Sequence, residues 1–564
     1  MGARTFLNRN EQTTNLRRLM VGSASVLALT LGLADASSAA DTIAAAARDG
    51  DLDQVRELIS TGAAVNQPER DGSTAVLWAA YQSHPEMLST LIAAGADVDA
   101  GNTLGVTPLL QAARTGDTQI IRALLDGGAS IEAATLEGET LLMAASRAGS
   151  VAAVNLLLER GSDPNASESY EGQTALMWAA SEGHADILAI LLEAGADPNA
   201  SARISELTER STRTDFPSGG FTAAMWAARE GHEDALRTLV DGGADMSLLN
   251  GDSASAMSIA IVNDRFDLAA RMVDMGAAPD ASALYRAVEM RDATTDWLAK
   301  DGSRWRADYR NELDALGLIR VLLEAGADPN ENFMGQNHST SMCCDTSASG
   351  SAFFRAAVAS DVDALKLLLE FGADVEWAPE EMEDAPRGMN SNAGKTALSV
   401  AMTGGKGVGM AGGPGDIREG EGPPFREAAN REPVDAMAVL LEAGADPNRR
   451  LPNGSTVLHD AARGRLLDVV ELLAANGVQL DALNEDGLTA LDIAEGRRAE
   501  GSSGGGGRGF GGPPPVGLPG EADPDQITTE QVSARLRELM DAAGTPIVEH
   551  GVIPSDEDET EAGA

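Results

Sequence analysis

The chain is 564 residues long, enough for roughly three to five globular domains or for one repeat array. It carries 42 Lys and Arg against 87 Asp and Glu, a formal charge of −45. This excludes nucleic acid and anionic membranes as expected partners, because a polyanion needs basic residues to neutralise its phosphates. Only 4% of residues are aromatic against 43% hydrophobic, so small apolar side chains must line thin layers, with no stacking platform for bases.

The first forty residues read as an address. Arg4, Arg9, Arg17 and Arg18 precede an apolar run from Val21 to Ala34, then Ala36-Ser37-Ser38-Ala39-Ala40. A positive region, a short apolar stretch and a small-residue cleavage site have the layout of a secretory signal of bacterial type, with cleavage expected after Ala36 or, preferably, Ala40. Arg17-Arg18 loosely fits a twin-arginine route, although Leu16 stands where a small polar residue is expected. No later stretch reaches the ~20 apolar residues of a membrane helix. The expectation is a soluble exported protein, periplasmic or secreted.

From residue 41 the chain repeats itself. Gly72-Ser73-Thr74-Ala75-Val76-Leu77-Trp78-Ala79-Ala80 returns from Gly105, Gly138, Gly172, Gly220, Gly394, Gly454 and Gly487. A second phrase, Leu191-Leu192-Glu193-Ala194-Gly195-Ala196-Asp197-Pro198-Asn199, returns at 322–330 and 440–448. Fixed self-similarity of this kind marks a stack of small units. Within a unit, Thr predicts an N-cap and Pro108 suits a first helical position. Leu176, Ala179 and Ala180 share one helix face, and Gly183 ends that helix. A second helix spans about 185–194, with Ile187, Leu188, Leu191 and Leu192 inward, and Gly195 supplies its left-handed terminus.

These phrases resemble the ankyrin repeat. The resemblance covers nearly all of 41–495, and 526–544 supplies a closing helix. It implies an all-α solenoid of about twelve helix-turn-helix units joined by short β-turn or hairpin loops. Units start near 71, 104, 137, 171, 219, 252, 283, 351, 394, 453 and 486, after an opening pair at 41–66.

The reading divides the chain into N-terminal repeats at 41–331, a Cys-containing insertion at 332–350 and C-terminal repeats at 351–495. A Gly/Pro-rich loop at 496–525, the closing helix and an acidic tail at 545–564 follow. Segments 201–218, 332–350 and 378–393 fall between one unit and the next, which the resemblance places on the hairpin side. Segments 292–313, 404–424 and 497–525 separate the two helices of one unit. The Gly-rich stretch around Lys406 lacks the Gly-Lys-Ser/Thr ending of a phosphate cradle.

Nothing in the sequence groups a nucleophile with a base, so no enzyme activity, cofactor or metal is expected. Trp78, Trp178 and Trp226 hold one slot, just before Ala-Ala. The residues after Ala-Ala, which the resemblance turns toward a partner groove, include Tyr81 and Gln82, Arg114, Arg147, Glu182, and Arg229 with Glu230. That mixture suits a protein partner, expected to carry a basic patch. His84, His184, His232 and His459 are repeat grammar. Two other readings stay open. Cys343 and Cys344, with His338 and Asp345 nearby, permit a redox- or metal-responsive role, although adjacent cysteines cannot meet ordinary disulfide geometry and zinc prefers spaced ligands. The array could also self-associate as an envelope structural protein.

Overall fold

The computed structural model describes residues 42–205, 218–251, 253–292, 311–336, 347–381, 392–402, 432–498 and 527–551. The signal-like segment 1–40, and the candidates His338, Cys343, Cys344 and Asp345, lie outside the described residues. The chain forms two compact units, Met1–Leu136 and Glu137–Ala564. Among the described residues there are 24 helices, packed as paired helix-turn-helix units.

The first unit holds three pairs: α1 (Ile43–Arg48) with α2 (Leu52–Ser60), α3 (Ala75–Tyr81) with α4 (Pro85–Ala93), and α5 (Pro108–Thr115) with α6 (Thr118–Asp126). First helices stack on first helices and second on second. The second unit holds nine pairs. They are α7 (Leu141–Ala148) and α8 (Val151–Glu159), α9 (Ala175–Glu182) and α10 (Ala185–Glu193), α11 (Ala223–Glu230) and α12 (Glu233–Asp241), α13 (Ala256–Val262) and α14 (Phe266–Asp274), α15 (Ala281–Asp292) and α16 (Ala315–Glu324). Then come α17 (Ala352–Val358) and α18 (Val362–Glu370), α19 (Ala397–Ala401) and α20 (Pro433–Glu442), α21 (Val457–Gly464) and α22 (Leu467–Ala475), α23 (Ala490–Ala494) and α24 (Thr529–Ala543).

Local chemistry starts and stops many of the helices. The hydroxyls of Thr74, Thr107, Thr140, Thr174, Thr222, Thr396 and Thr489 accept the third amide of their first helices. Where the phrase departs from Thr, as at Ser255 and Ser351, serine caps in the same way. Gly183 closes α9 at φ +80°, and a methyl there would collide with the His232 ring. Gly195 follows α10 at φ +89° in open space. The Ala79-Ala80, Ala112-Ala113, Ala179-Ala180 and Ala227-Ala228 pairs are fully buried, and their small side chains let neighbouring first helices approach closely. Second helices supply the bulk: Ile120, Ile121 and Leu124 are fully buried, as are Leu188 and Leu191. Each such side chain contributes roughly 1.5–3 kcal/mol. Leu192, expected inward, is only half-buried, lying where a side chain on Gly242 would go.

Two ladders tie successive pairs together. Hairpins bond to the next hairpin, through Thr103 N–H to Asp71 O in the first unit and through Ser169 to Glu137, Arg203 to Glu171 and Gly251 to Gly219 in the second. At the other end of five of the pairs an asparagine side chain clamps the pair that follows. Asn199 donates to Gly243 O at 3.2 Å and accepts from Asp245 N at 2.7 Å. Asn66, Asn165, Asn330 and Asn448 make the same two bonds to their own successors.

Departures from the repeat have definite anchors. β1 (Ile204–Ser205) pairs antiparallel with β2 (Ser218–Gly219), and β3 (Phe333–Gln336) pairs with β4 (Ser347–Gly350). Gly394 N–H donates to Pro379 O at 2.8 Å. Each contact closes the chain on the hairpin side of its unit. The first helix of the irregular unit, α15, carries charge into the core. Arg286 and Glu289 form a 3.0 Å pair with both side chains buried. Arg291 holds Asp361 through two bonds of 2.7 and 2.9 Å, and Asp361 in turn caps α18. Phe333 packs on Tyr285, 4.6 Å between ring centroids, which fixes the base of β3 on α15.

Candidate functional site

The tryptophan slot lies on the first helices, four residues after the capping Thr, where the helix passes its own hairpin. In the first unit Trp78 is half-buried and meets Tyr81 edge-on at 5.8 Å between centroids. Its indole N–H donates to Glu69 Oε2 at 3.0 Å, and Glu69 also pairs with Arg48. Gln82 donates to the Arg48 carbonyl, so it is tied to the preceding helix pair. Tyr81 is 52% exposed, whereas Arg114 is half-buried.

In the second unit Arg147, at the end of α7, lies over the Trp178 ring of the following pair, 5.2 Å from its centroid. Arg229 lies over Trp226 at the same distance, and Phe221 meets that indole at 5.3 Å. Cation–π contacts at half-buried sites contribute about 0.5–2 kcal/mol and hold both partners in one rotamer. Glu230 sits 3.7 Å from Arg229, and Glu182 is half-buried at the end of α9. The structure thus brings together Trp78 with Tyr81, Arg147 with Trp178, and Arg229 with Trp226 and Glu230.

Sequence reasoning missed Glu69, Arg48 and the hairpin residues that decide whether an indole finds an acceptor. The Trp178 and Trp226 indole N–H groups are buried and meet no acceptor among the described residues. An unsatisfied buried donor costs about 1–3 kcal/mol. The signal was available in outline, since Glu69 precedes Thr74 by five residues, but the loops at 168–174 and 202–222 differ in length.

The histidines sit as the repeat phrase requires. His84 Nδ1 accepts from Met87 N, capping α4, and the His184 and His232 rings lie against Gly149 and Gly183. His459 is fully buried between Thr456 and the Leu488 carbonyl, and burial pushes its imidazole pKa down. Burial also pushes the Lys395 ammonium down, against the pull of Asp460. Asp492 is buried, which raises its carboxyl pKa. Hydrogen bonds from His550 and Thr489 outweigh that and leave it below the ordinary carboxylate range.

Two clefts, of about 290 and 220 Å³, are present in the second unit. The first is lined by Arg320, Asp363, Lys366 and Glu370 among others, the second by Asp481, Thr489, Met540 and His550. The wall of the first carries mixed charge, unlike the apolar lining typical of small-molecule sites, whereas Leu483, Met540, Pro546 and Val548 supply much of the second. Among the described residues no three His, Cys, Asp or Glu side chains converge as a metal site, and no helix is long and apolar enough to cross a membrane.

Comparison with known proteins bears on the repeats. A model of three ankyrin repeats matches residues 43–135 and 112–202, a single ankyrin repeat matches 219–251, and a many-copy ankyrin model matches 440–494. Ankyrin repeat domain-containing protein 37 is 28% identical over 132 residues in Mus musculus and 28% over 134 in Bos taurus. Those alignments cover 23% and 24% of this chain, and 59% and 61% of the relatives. Cyclin-dependent kinase inhibitor 2A of Monodelphis domestica is 41% identical over 63 residues, covering 11% of this chain and 37% of that protein. The chain thus spans about three fifths of the length of the first relatives.

Proposed function

Since this chain is an ankyrin-repeat protein with multiple repeats, we propose that it is an exported, non-catalytic scaffold that binds another protein. Contact is made at the first-helix slot within each unit, by Trp78, Tyr81, Gln82 and Arg114 in the first and by Arg147, Trp178, Glu182, Trp226, Arg229 and Glu230 in the second, and at the hairpin-side insertions. The observation that carries this reading is the repeated placement of arginine over tryptophan at the helix ends. Arg147 over Trp178 and Arg229 over Trp226 present partly exposed, rotamer-locked side chains of the types that anchor protein interfaces. A preformed scaffold pays little ordering entropy on binding. The charge of −45 favours a partner with a basic patch and makes association salt-sensitive.

The test is affinity capture from an envelope extract with residues 41–564 as bait, alongside an Arg147→Glu/Arg229→Glu variant and one shortened within 337–346. A specific protein lost with the charge reversal supports the slot, and loss with the shortened loop extends the surface to the insertion. An identical catch from all three baits, or none from any, would overturn the reading.

A further inference from the structure

The last first helix, α23, is followed by no further first helix among the described residues, and the strap after α24 stands in that place. In α21 the third residue after the cap is His459. Its ring joins the cap Thr456 to Leu488 O, the carbonyl just before the cap of the next pair. The same position in α23 is Asp492. Its buried carboxylate accepts Thr489 N and Thr489 Oγ1 at its own cap, and reaches outward to the strap at 545–551. His550 donates its amide to Asp492 Oδ1 at 3.0 Å, and its Nδ1 lies 3.1 Å from Oδ2. Glu549 pairs with Arg497 at 2.7 Å and approaches Arg537 at 4.0 Å. Gly551 follows at φ +69°, where a methyl would collide with the Arg498 carbonyl and with Leu488. Three consecutive strap residues thus meet three separate requirements: a carboxylate, a pair of donors, and no side chain.

The strap is held by these polar contacts more than by burial. Ile547 and Val548 are 41% and 57% exposed. Beside the strap runs the cleft of about 220 Å³, where Leu483 and Met540 lie opposite Pro546 and Val548. We propose that this end of the array is a docking station for an extended peptide, which the strap occupies as an autoinhibitory ligand. A partner protein enters it with a segment of the order large apolar residue, acid, His, Gly. The larger side chain, at the place of Val548, fills the cleft that the strap leaves beside itself. The added burial is what lets the partner compete with an occupant tethered at millimolar effective concentration. Exchange with the strap of a second copy makes no new contact, because each station already holds an identical segment. The station uses none of the tryptophan-slot residues, so it adds a second contact to the scaffold reading and stands or falls apart from it.

The test uses the full chain and its Glu549→Ala/His550→Ala variant, which releases the strap. The probe is acetyl-Pro-Ile-Phe-Glu-His-Gly-Val-amide carrying ¹⁵N-histidine, and the histidine amide resonance is read. The variant is expected to bind the probe saturably and at least tenfold more tightly than the wild-type chain. Asp492→Asn added to the variant should weaken binding at least fivefold. A peptide with Val for Gly should bind at least tenfold more weakly, and one with Val for Phe at least threefold more weakly. If the double variant loses exchange protection in α23, Gly551→Val replaces it, since that change dislodges the strap at the Arg498 carbonyl and keeps its charges. Equal binding to the wild-type and released chains, no binding to either released chain, or indifference to any of the three substitutions would overturn the proposal. Dimerisation of the wild-type chain that Asp492→Asn abolishes would overturn it too, by assigning the station to a second copy.

Discussion

Replacing Asp99 by asparagine should stabilise the first unit, and the size of the gain can be worked from the clamp geometry. Asp99 occupies the clamp position between its pair and the next, and accepts from Ser130 N at 2.8 Å. Its carboxylate has no N–H to give to Gly128 O, the bond that Asn66 makes to Gly95 O at 3.3 Å and Asn165 makes to Gly195 O at 2.9 Å. Asparagine keeps the acceptor and adds the donor. One net hydrogen bond at an exposed site is worth about 0.5–1.5 kcal/mol. Loss of one negative charge from an acidic chain adds a smaller, salt-dependent gain. Native-state hydrogen exchange is the suitable assay, because a repeat array opens locally and a single global midpoint is poorly defined. Amide protection in α4 and α6 should rise roughly two- to twelvefold, by that same hydrogen-bond estimate. Most of the gain should survive in 1 M salt, where the Debye length is about 3 Å. Asn199→Asp is the mirror experiment. It keeps the bond from Asp245 N and loses the one to Gly243 O, and should reduce protection in α10 and α12 by a similar factor. A gain for Asp99→Asn that vanishes in high salt would refute the hydrogen-bond argument and leave only charge.

The two glycines that end α9 and follow α10 should differ on substitution. Gly195→Ala meets open space and should cost about 1–2 kcal/mol for the left-handed backbone alone, whereas Gly183→Ala adds a collision with the His232 ring and should cost more, both read as lost exchange protection in α9 and α10. Arg291→Ala leaves the buried Asp361 carboxylate without its two bonds and should cost about 3–5 kcal/mol, read as lost exchange protection in α15 and α18. Asp492 has a folded pKa below its unfolded value, so its contribution is full above about pH 4 and is lost as pH falls through the folded value. Asp492→Asn should remove that acid-labile step at α23. His459 is also lowered, but it is a base held neutral. Its site is undisturbed above about pH 6.5 and loses stability as pH falls below that, so exchange protection in α21 at pH 8 and pH 5.5 should differ less in a His459→Asn variant.

Much of this molecule was legible because its decisive interactions are local. A threonine caps the helix that follows it, and a glycine ends the helix before it, within a few residues of sequence. Small-residue pairs and leucine spacing then specify which face packs. Even the irregular unit could be located from its broken phrase, although the charges that α15 buries were not, since a buried Arg286–Glu289 pair reads on paper as a solvated face. The candidate residues were visible as recurring slots, but their grouping was not. Arg147 covers a tryptophan from the neighbouring pair, Arg229 covers one from its own helix, and sequence spacing does not separate these cases.

The sequence by itself determined the repeat, its helix boundaries and the line of slots, because each depends on hydrogen bonds and packing between residues close along the chain. Only the tertiary structure decided where polar groups found partners. Glu69 reaches Trp78 while Glu168 turns onto its own loop, because one extra residue in the second hairpin brings three amides within its reach. A side chain takes the partners that the fold presents, and a hairpin one residue longer presents different ones.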